Sequence, residues 1–340
     1  VFYIGWRDLQ FRRRRFIIAI LATSLVFAIA LILSGVSGGF SSEITRSVDS
    51  FGAGGWVVPA KAAGPFSNAE VFAPDDVASG VDGAGQVSAM AMARVPRGDK
   101  DVMVFGIEPG GLGPEATSGR DAKSSGEVVV DESLGLDVGD ELVLGARSFD
   151  VVGTYSGRTI FAGSPTAVIT LDDAQKLTYA GQPLASALLT ERLPTAVPDG
   201  FRALTNSQAE ADLARPLKAA TGTIDFLRVL LWIIAVGIIG SIVYMTVLEQ
   251  TRDFAVLKAI GVQGRSIFSG LVTQAVVVSV ASAAVAALLT LLIKGFVPMN
   301  TEISTGTYVT LPIIAAIAGV AASLVGLRRA VGVDPALAFG

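Results

Sequence analysis

The feature that most limits what this chain can become is a set of four apolar runs: Phe16 to Leu33, Val229 to Leu248, Ile267 to Ile293 and Val309 to Leu327. Each is about as long as a helix must be, at roughly 1.5 Å of rise per residue, to cross a hydrocarbon layer about 30 Å thick. They predict four transmembrane helices, one before and three after a long polar segment. Only Thr23 and Ser24 interrupt the first run, and the third and fourth are rich in Ala, Ser and Gly, small residues that let helices approach closely in a bilayer.

Lys and Arg near the ends of the runs set the orientation. Arg7 and Arg12 to Arg15 precede the first, Arg252, Lys258 and Arg265 separate the second from the third, and Arg328 and Arg329 follow the fourth. All three groups fall on one side, which predicts cytoplasmic N and C termini. Residues 41 to 225 hold 14 basic and 25 acidic side chains and are expected outside, whereas the remaining 12 basic and 5 acidic residues form a cytoplasmic rim. The basic residues track the membrane edge and make no aromatic-interleaved groove, so no nucleic-acid partner is expected.

Composition narrows the chemistry further. Hydrophobic residues make up 51% of the 340, only 16% are charged, and there is no Cys and no His. A Ser-His-Asp triad, a zinc site of the HExxH type and a thiolate nucleophile are all excluded. The spans contain no ionisable side chain, Arg228 and Lys294 lying at their edges, which argues against a proton-coupled pathway.

Before the first span, Phe2, Tyr3, Ile4, Trp6, Leu9 and Phe11 are interleaved with polar residues, a pattern read as an amphipathic helix in the inner interface, with a short basic tail as the alternative. Gly35-Val36-Ser37 has the spacing of a signal-peptidase site. The apolar run before it exceeds the usual length of about 7 to 15 residues, so retention as an anchor is expected.

In the outside segment, Glu127 to Val130, Asp137 to Leu144 and Phe149 to Gly153 are short β-branched runs broken by Gly and Asp, read as a small, mostly antiparallel unit. Thr166 to Thr170 reads as another strand. Leu171 then opens a helix whose early Asp172 and Asp173 suit its positive end. Further strands are expected around Gly55 to Val58 and Val102 to Ile107, and Glu210 to Ala220, with Pro216, reads as a kinked stalk. The fold class is therefore an α-helical integral membrane protein with four transmembrane helices, one plus three, and a mixed α/β extracytoplasmic domain between helices 1 and 2.

The acidic pairs Asp75-Asp76, Asp131-Glu132, Asp140-Glu141 and Asp172-Asp173 lack EF-hand spacing and read as solvated surface or caps. The Gly-rich pieces at 52 to 55 and 110 to 113 lack phosphate-cradle spacing and read as turns. No catalytic centre, metal site or cofactor site is expected on this chain.

The most informative stretch runs from Glu249 to Val262. Phe254, Leu257 and Ile260 recur at three-residue spacing as an apolar stripe, Glu249 and Arg252 are placed to pair, and Gly261 is placed to stop the helix. A short helix exposing such a stripe suits either a protein partner or a resting place on lipid. The segment resembles the pattern E-R-T-R-E-I-G-[IVL]-L-K-A-[LIM]-G-A of the MacB/FtsX-like ABC transporter permeases, the four-span type VII mechanotransmission class. Glu249, Thr251, Arg252, Leu257, Lys258, Ala259, Ile260 and Gly261 match it, whereas Gln250, Asp253, Phe254-Ala255 and Val262 depart. Residues 126 to 153 and the ending from Arg328 to Pro335 are similar to further family segments.

The resemblance implies a division into a cytoplasmic N-terminal helix (1–15), a first span (16–40), an extracytoplasmic domain with stalk (41–225), a second span (226–248), a coupling helix (249–265), a third span (266–296), a short outer loop (297–307), a fourth span (308–327) and a cytoplasmic tail (328–340). It also implies a homodimer in the bacterial plasma membrane, each copy recruiting a cytoplasmic ABC ATPase subunit through Glu249, Arg252, Asp253, Phe254, Leu257, Lys258, Ile260 and Gly261. ATP and Mg would bind that partner, since this chain has no Walker A motif. Membrane lipid and an extracytoplasmic protein are the other partners implied. The function implied first is ATP-driven export or extraction of an amphiphilic substrate. A mechanotransmitter regulating a cell-wall hydrolase is the alternative, and a solute importer of amino-acid type ranks lowest because no EAA-x-x-x-G pattern occurs.

Overall fold

The computed structural model describes residues 13–67, 70–98, 100–293 and 305–331. The readings for the amphipathic segment at 1–12, for most of the outer loop at 297–307 and for the tail beyond 331 lie outside the described residues. The first apolar run sits in helix α1 (Arg13–Asp49), which continues nine residues past the expected end at residue 40. Hydropathy misses these last turns because they are polar. They are nonetheless held by a stripe at helical spacing, in which Glu43, Ser47 and Val48 are buried and Ile44 packs on the same core.

The mixed α/β unit, Phe40–Ala219, is built on one ten-stranded sheet. In chain order its elements are β1 (Gly55–Pro59), the short helix α2 (Pro74–Ala78), β2 (Val87–Arg97), β3 (Lys100–Ile107), β4 (Ser118–Gly119), β5 (Glu127–Asp131), β6 (Glu141–Leu144), β7 (Arg147–Tyr155), β8 (Thr166–Thr170), α3 (Leu171–Thr178), β9 (Ala187–Thr190), β10 (Phe201–Leu204) and α4 (Asn206–Leu213). The strand order is β10-β1-β9-β2-β3-β8-β5-β7-β4, with β6 paired to β7.

Side chains alternate across a strand, so each central strand feeds two cores. Met103, Phe105, Val129 and Val168 join Trp56 and Phe51 in one cluster, whereas Val102, Val104, Val128, Val130, Ala167 and Ile169 join Leu142 and Phe149 in the other. Covering both faces explains why β1 and β8 are buried at every position.

The unit expected to be mostly antiparallel differs in one pairing. The β6–β7 hairpin is antiparallel, but β5 runs parallel to β7, with a register shift between Val128 and Val129. A strand that leaves β5, passes through β6 and returns beside β5 has to arrive parallel. The β3–β8 pairing is parallel as well.

The remaining unit spans residues 1–39 and 220–340, and its described residues are almost all helical. Beside the first part of α1 it contains α5 (Lys218–Glu249), α6 (Thr251–Ala259), α7 (Gly264–Ile293) and α8 (Thr305–Val331). The stalk expected at 210–220 is instead the end of α4, a 3-10 turn at Arg215–Leu217 and the start of α5. Pro216 cannot donate in a continuous helix, so the break falls there and α5 starts eight residues before the expected 226. Helices α1, α5 and α7 are long and apolar enough to cross a membrane; of α8, Val309–Ala321 forms a shorter apolar stretch among the described residues.

Phe27, Ala28 and Leu31 of α1, Ala235 of α5, Ala283 and Ala286 of α7, and Leu311 and Ala315 of α8 meet in one cluster, so all four long helices share a core. Leu21, Phe226, Ile233, Leu292, Ile313 and Ile317 are exposed, an outward apolar face suited to lipid.

Candidate functional site

The site expected at 249–262 lies at the joint of three helices. Gln250 alone separates α5 from α6, and the Thr251 hydroxyl donates to the carbonyls of Val247 and Leu248, fastening the corner to the end of α5. At the other end, Gly261 takes φ +93 and the Val262 amide donates to the Leu257 carbonyl at 2.9 Å, the longer bond of a Schellman cap. The helix is therefore Thr251–Ala259, shorter than the expected 249–265, because the left-handed residue stops it before Gly264 opens α7.

The apolar stripe does not face outward as a set. Phe254 is 7% exposed, packed with Ile239, Val243 and Val247 of α5 and with Leu271 and Ala275 of α7, and Leu257 and Val262 rest against the same cluster. Ala255 is fully buried. The outward apolar residues are Val256 and Ile260, 45% and 72% exposed, beside the exposed Arg252 and Asp253. At a three-residue spacing successive side chains rotate by about 60° around a helix, and the turn at Ile260 rotates it further from Phe254. Val256 escaped the sequence reading because it stands outside the 254-257-260 series. Glu249 closes α5 and Lys258 lies in the last turn of α6. The result is a short helix pinned on its inner side by Phe254, with a small apolar tip flanked by charges on its outer side.

The bundle that carries this helix is joined through small residues. A Cβ added to Gly319 of α8 would stand 2.7 Å from the Ser279 Oγ and 2.9 Å from the Ala275 carbonyl oxygen of α7. Buried hydroxyls there are satisfied locally, Ser279 donating to Ala275, Ser282 to Val278 and Thr290 to Ala286 one turn back. These three hydroxyls thus leave the small-residue face of α7 free to pack.

In the α/β unit two of the acidic pairs split between solvent and core. Asp131 is buried and accepts from the Ser133 and Arg158 amides, whereas Glu132 is exposed. Asp173 is fully buried; burial pushes its carboxyl up, but the Gly126 amide, the Ser125 hydroxyl and the Arg147 guanidinium at 2.9 Å together bring it below its ordinary value. Glu127 is lowered to about 2 by Arg120, with the Lys123 and Ser124 amides adding to the effect. Asp212, also buried, accepts from the Phe66 and Ser67 amides and the Ser67 hydroxyl. Sequence reasoning gave no signal for Asp212, whose hydrogen-bond donor Ser67 lies 145 residues away. Every one of these carboxylates is engaged in holding loops, and among the described residues no cluster of three or more acidic side chains is arranged to hold a metal.

Comparison with known proteins decides the family. An uncharacterized ABC transporter permease of Mycobacterium tuberculosis, Rv2563, is 42% identical over 345 residues, covering 99% of both chains. This chain is an ABC transporter permease of the MacB/FtsX-like class. A second uncharacterized permease of M. tuberculosis, Rv0072, is 38% identical over the same share of both chains. The model of the FtsX-like permease C-terminal domain matches residues 226–335 of this permease, the span that contains α6, α7 and α8. A Staphylococcus epidermidis protein named for a hemin transport system, the permease HrtB, is 21% identical across 99% of both chains.

Proposed function

We propose that this permease couples ATP hydrolysis on a separate cytoplasmic ABC ATPase subunit to movement of its outer domain, for export or extraction of an amphiphilic substrate. The observation that carries the reading is the arrangement of α6: its inner face is locked between α5 and α7, and its outer face offers Val256 and Ile260 among Arg252 and Asp253. A rigidly seated helix with an exposed apolar tip and a charged surround has the make-up of a docking element, since partner burial of a few apolar anchors supplies most of an interface's affinity. Glu249, Lys258 and Gly261 frame it. Phe254 and Leu257 act from beneath, fixing its angle.

In this reading α1, α5, α7 and α8 are four spans of a plasma-membrane protein with cytoplasmic termini, α6 is at the inner rim, and residues 40–219 are extracytoplasmic. A second copy completes the transporter as a homodimer surrounded by lipid, and ATP and Mg reside on the ATPase. The absence of ionisable side chains from the apolar runs suits a machine that moves an outer domain instead of passing a charged solute through its core. The full-length likeness to a protein named for hemin transport supports an amphiphilic cargo over regulation of a cell-wall hydrolase by an outside protein partner.

The experiment is affinity purification of the full chain from its native membrane in mild detergent, with ATP hydrolysis measured on the product. Co-purification of an ABC ATPase whose turnover rises with an added amphiphile is expected. Recovery of a cell-wall hydrolase with no effect of amphiphiles would favour the mechanotransmitter.

A further inference from the structure

The loop between β7 and β8, residues 156–165, is bent in a way the chain does not adopt on its own. Phe161, Ala162 and Gly163 take φ of +50, +67 and +94 in succession. Left-handed backbone is uncommon for a residue with a Cβ and a genuine outlier for a bulky one such as Phe161, so this shape persists only where the surroundings impose it. The turn closes on itself through paired bonds, the Ile160 amide to the Ser164 carbonyl at 2.9 Å and the reverse at 2.7 Å. Its base is fixed by Asp131 accepting from the Arg158 amide and by the Thr166 hydroxyl donating to the Arg158 carbonyl.

Its tip is fixed by α1. The Gly163 amide donates to Glu43 Oε1 at 3.0 Å, and the Ser47 hydroxyl donates to the Thr159 carbonyl at 2.9 Å. Glu43 and Ser47 are four residues apart, on one face of the helix, and both are buried. One bonds the glycine that directly follows the two strained residues, and the other bonds the turn on its approach.

We propose that the β7–β8 loop is a strained latch, held in its left-handed shape by Glu43 and Ser47 and released when the end of α1 withdraws them. Glu43 supplies the charge-assisted bond that offsets the strain at Phe161 and Ala162. Both grips come from the last turns of α1, which belong to the same unit as the loop. The latch itself stands on this geometry alone; its use during an ATP cycle rests on the permease reading above.

The test is amide hydrogen exchange on the full chain in phospholipid nanodiscs, without any ATPase. The informative amides are Ile160 and Ser164, which bond to each other and do not touch Glu43. Glu43→Ala is expected to speed their exchange at least tenfold while leaving β5 and β8 unchanged, and Glu43→Gln, which keeps an acceptor oxygen, to retain most of the protection. Ala162→Gly, alone and combined with Glu43→Ala, relieves the strain and is expected to slow their exchange in both backgrounds. Unchanged exchange at Ile160 and Ser164 in Glu43→Ala, or a loss of protection spread evenly over β5 and β8, would overturn the latch. If Glu43→Ala does not fold, the single Ala162→Gly variant decides: no gain in protection at these two amides refutes stored strain.

Discussion

Gly319 of α8 lies so close to Ser279 of α7 that an added Cβ would stand 2.7 Å from the serine Oγ, with the Ala275 carbonyl oxygen at 2.9 Å. The serine hydroxyl is itself engaged, donating to that carbonyl at 2.8 Å. Helix contact at this point is between backbones, as small residues permit in a bilayer.

Gly319→Leu is therefore expected to force α7 and α8 apart. Overpacking of a tight contact costs about 1–3 kcal/mol, and a backbone neighbour that cannot rotate away puts this site at the upper end. Thermal unfolding of the purified full chain in detergent checks it, with Gly319→Ala intermediate. Wild-type stability of the leucine variant would mean that the helices do not meet there.

Phe254 and Ile260 are expected to fail in different ways. Phe254→Ala removes a ring packed among α5 and α7 and should lower stability by roughly 3–5 kcal/mol. Ile260→Asp alters an exposed side chain, should leave unfolding within about 0.5 kcal/mol of wild type, and should abolish ATPase binding. Leu257→Asp would mix the two effects, because Leu257 is partly buried against the Phe254 cluster. Paired unfolding and pull-down measurements separate them.

Much of this was legible from residue type and period. The apolar runs lie in α1, α5, α7 and α8, Gly261 does cap α6, and Thr166–Thr170 and Leu171–Thr178 are the strand and helix their patterns predict. What was not legible depends on partners far along the chain. The polar turns from Ser41 to Asp49 are helical because Glu43, Ser47 and Val48 find cover in the α/β unit, which hydropathy cannot foresee. The parallel β5–β7 pairing follows from a crossover, not from either strand's composition. The inward turn of Phe254 is set by where α5 and α7 stand.

Asp212→Ala is expected to unfasten residues 66 and 67. Their amides and the Ser67 hydroxyl would lose a charged acceptor, and the Phe66 bond is buried. Hydrogen bonds to a charged group contribute about 1.5–3 kcal/mol, and buried donors left unpaired add to the loss. A destabilisation of the α/β unit by about 3 kcal/mol should appear as an earlier unfolding transition; Asp212→Asn should recover part of it.

Glu127 makes stability depend on acid. Its carboxyl titrates near 2 in the folded protein against an ordinary 4.5, so the unfolded chain takes up the proton first. The contribution is present in full above 4.5 and is lost as pH falls from there through about 2. Arg120→Ala removes the first cause of the shift, and is expected to lower stability at neutral pH while flattening the acid profile across that window. An unfolding series from neutral to acid pH on both proteins reads the difference, and parallel curves would contradict the assignment.

The most direct test of the coupling account is a photo-crosslinking side chain placed at position 260 of the full chain and irradiated in native membranes during ATP turnover. The account predicts an adduct to an ABC ATPase subunit, lost when the label is moved to the buried position 255. A chain that co-purifies with an ATPase yet labels only lipid from position 260 would show that α6 is not where the two proteins meet.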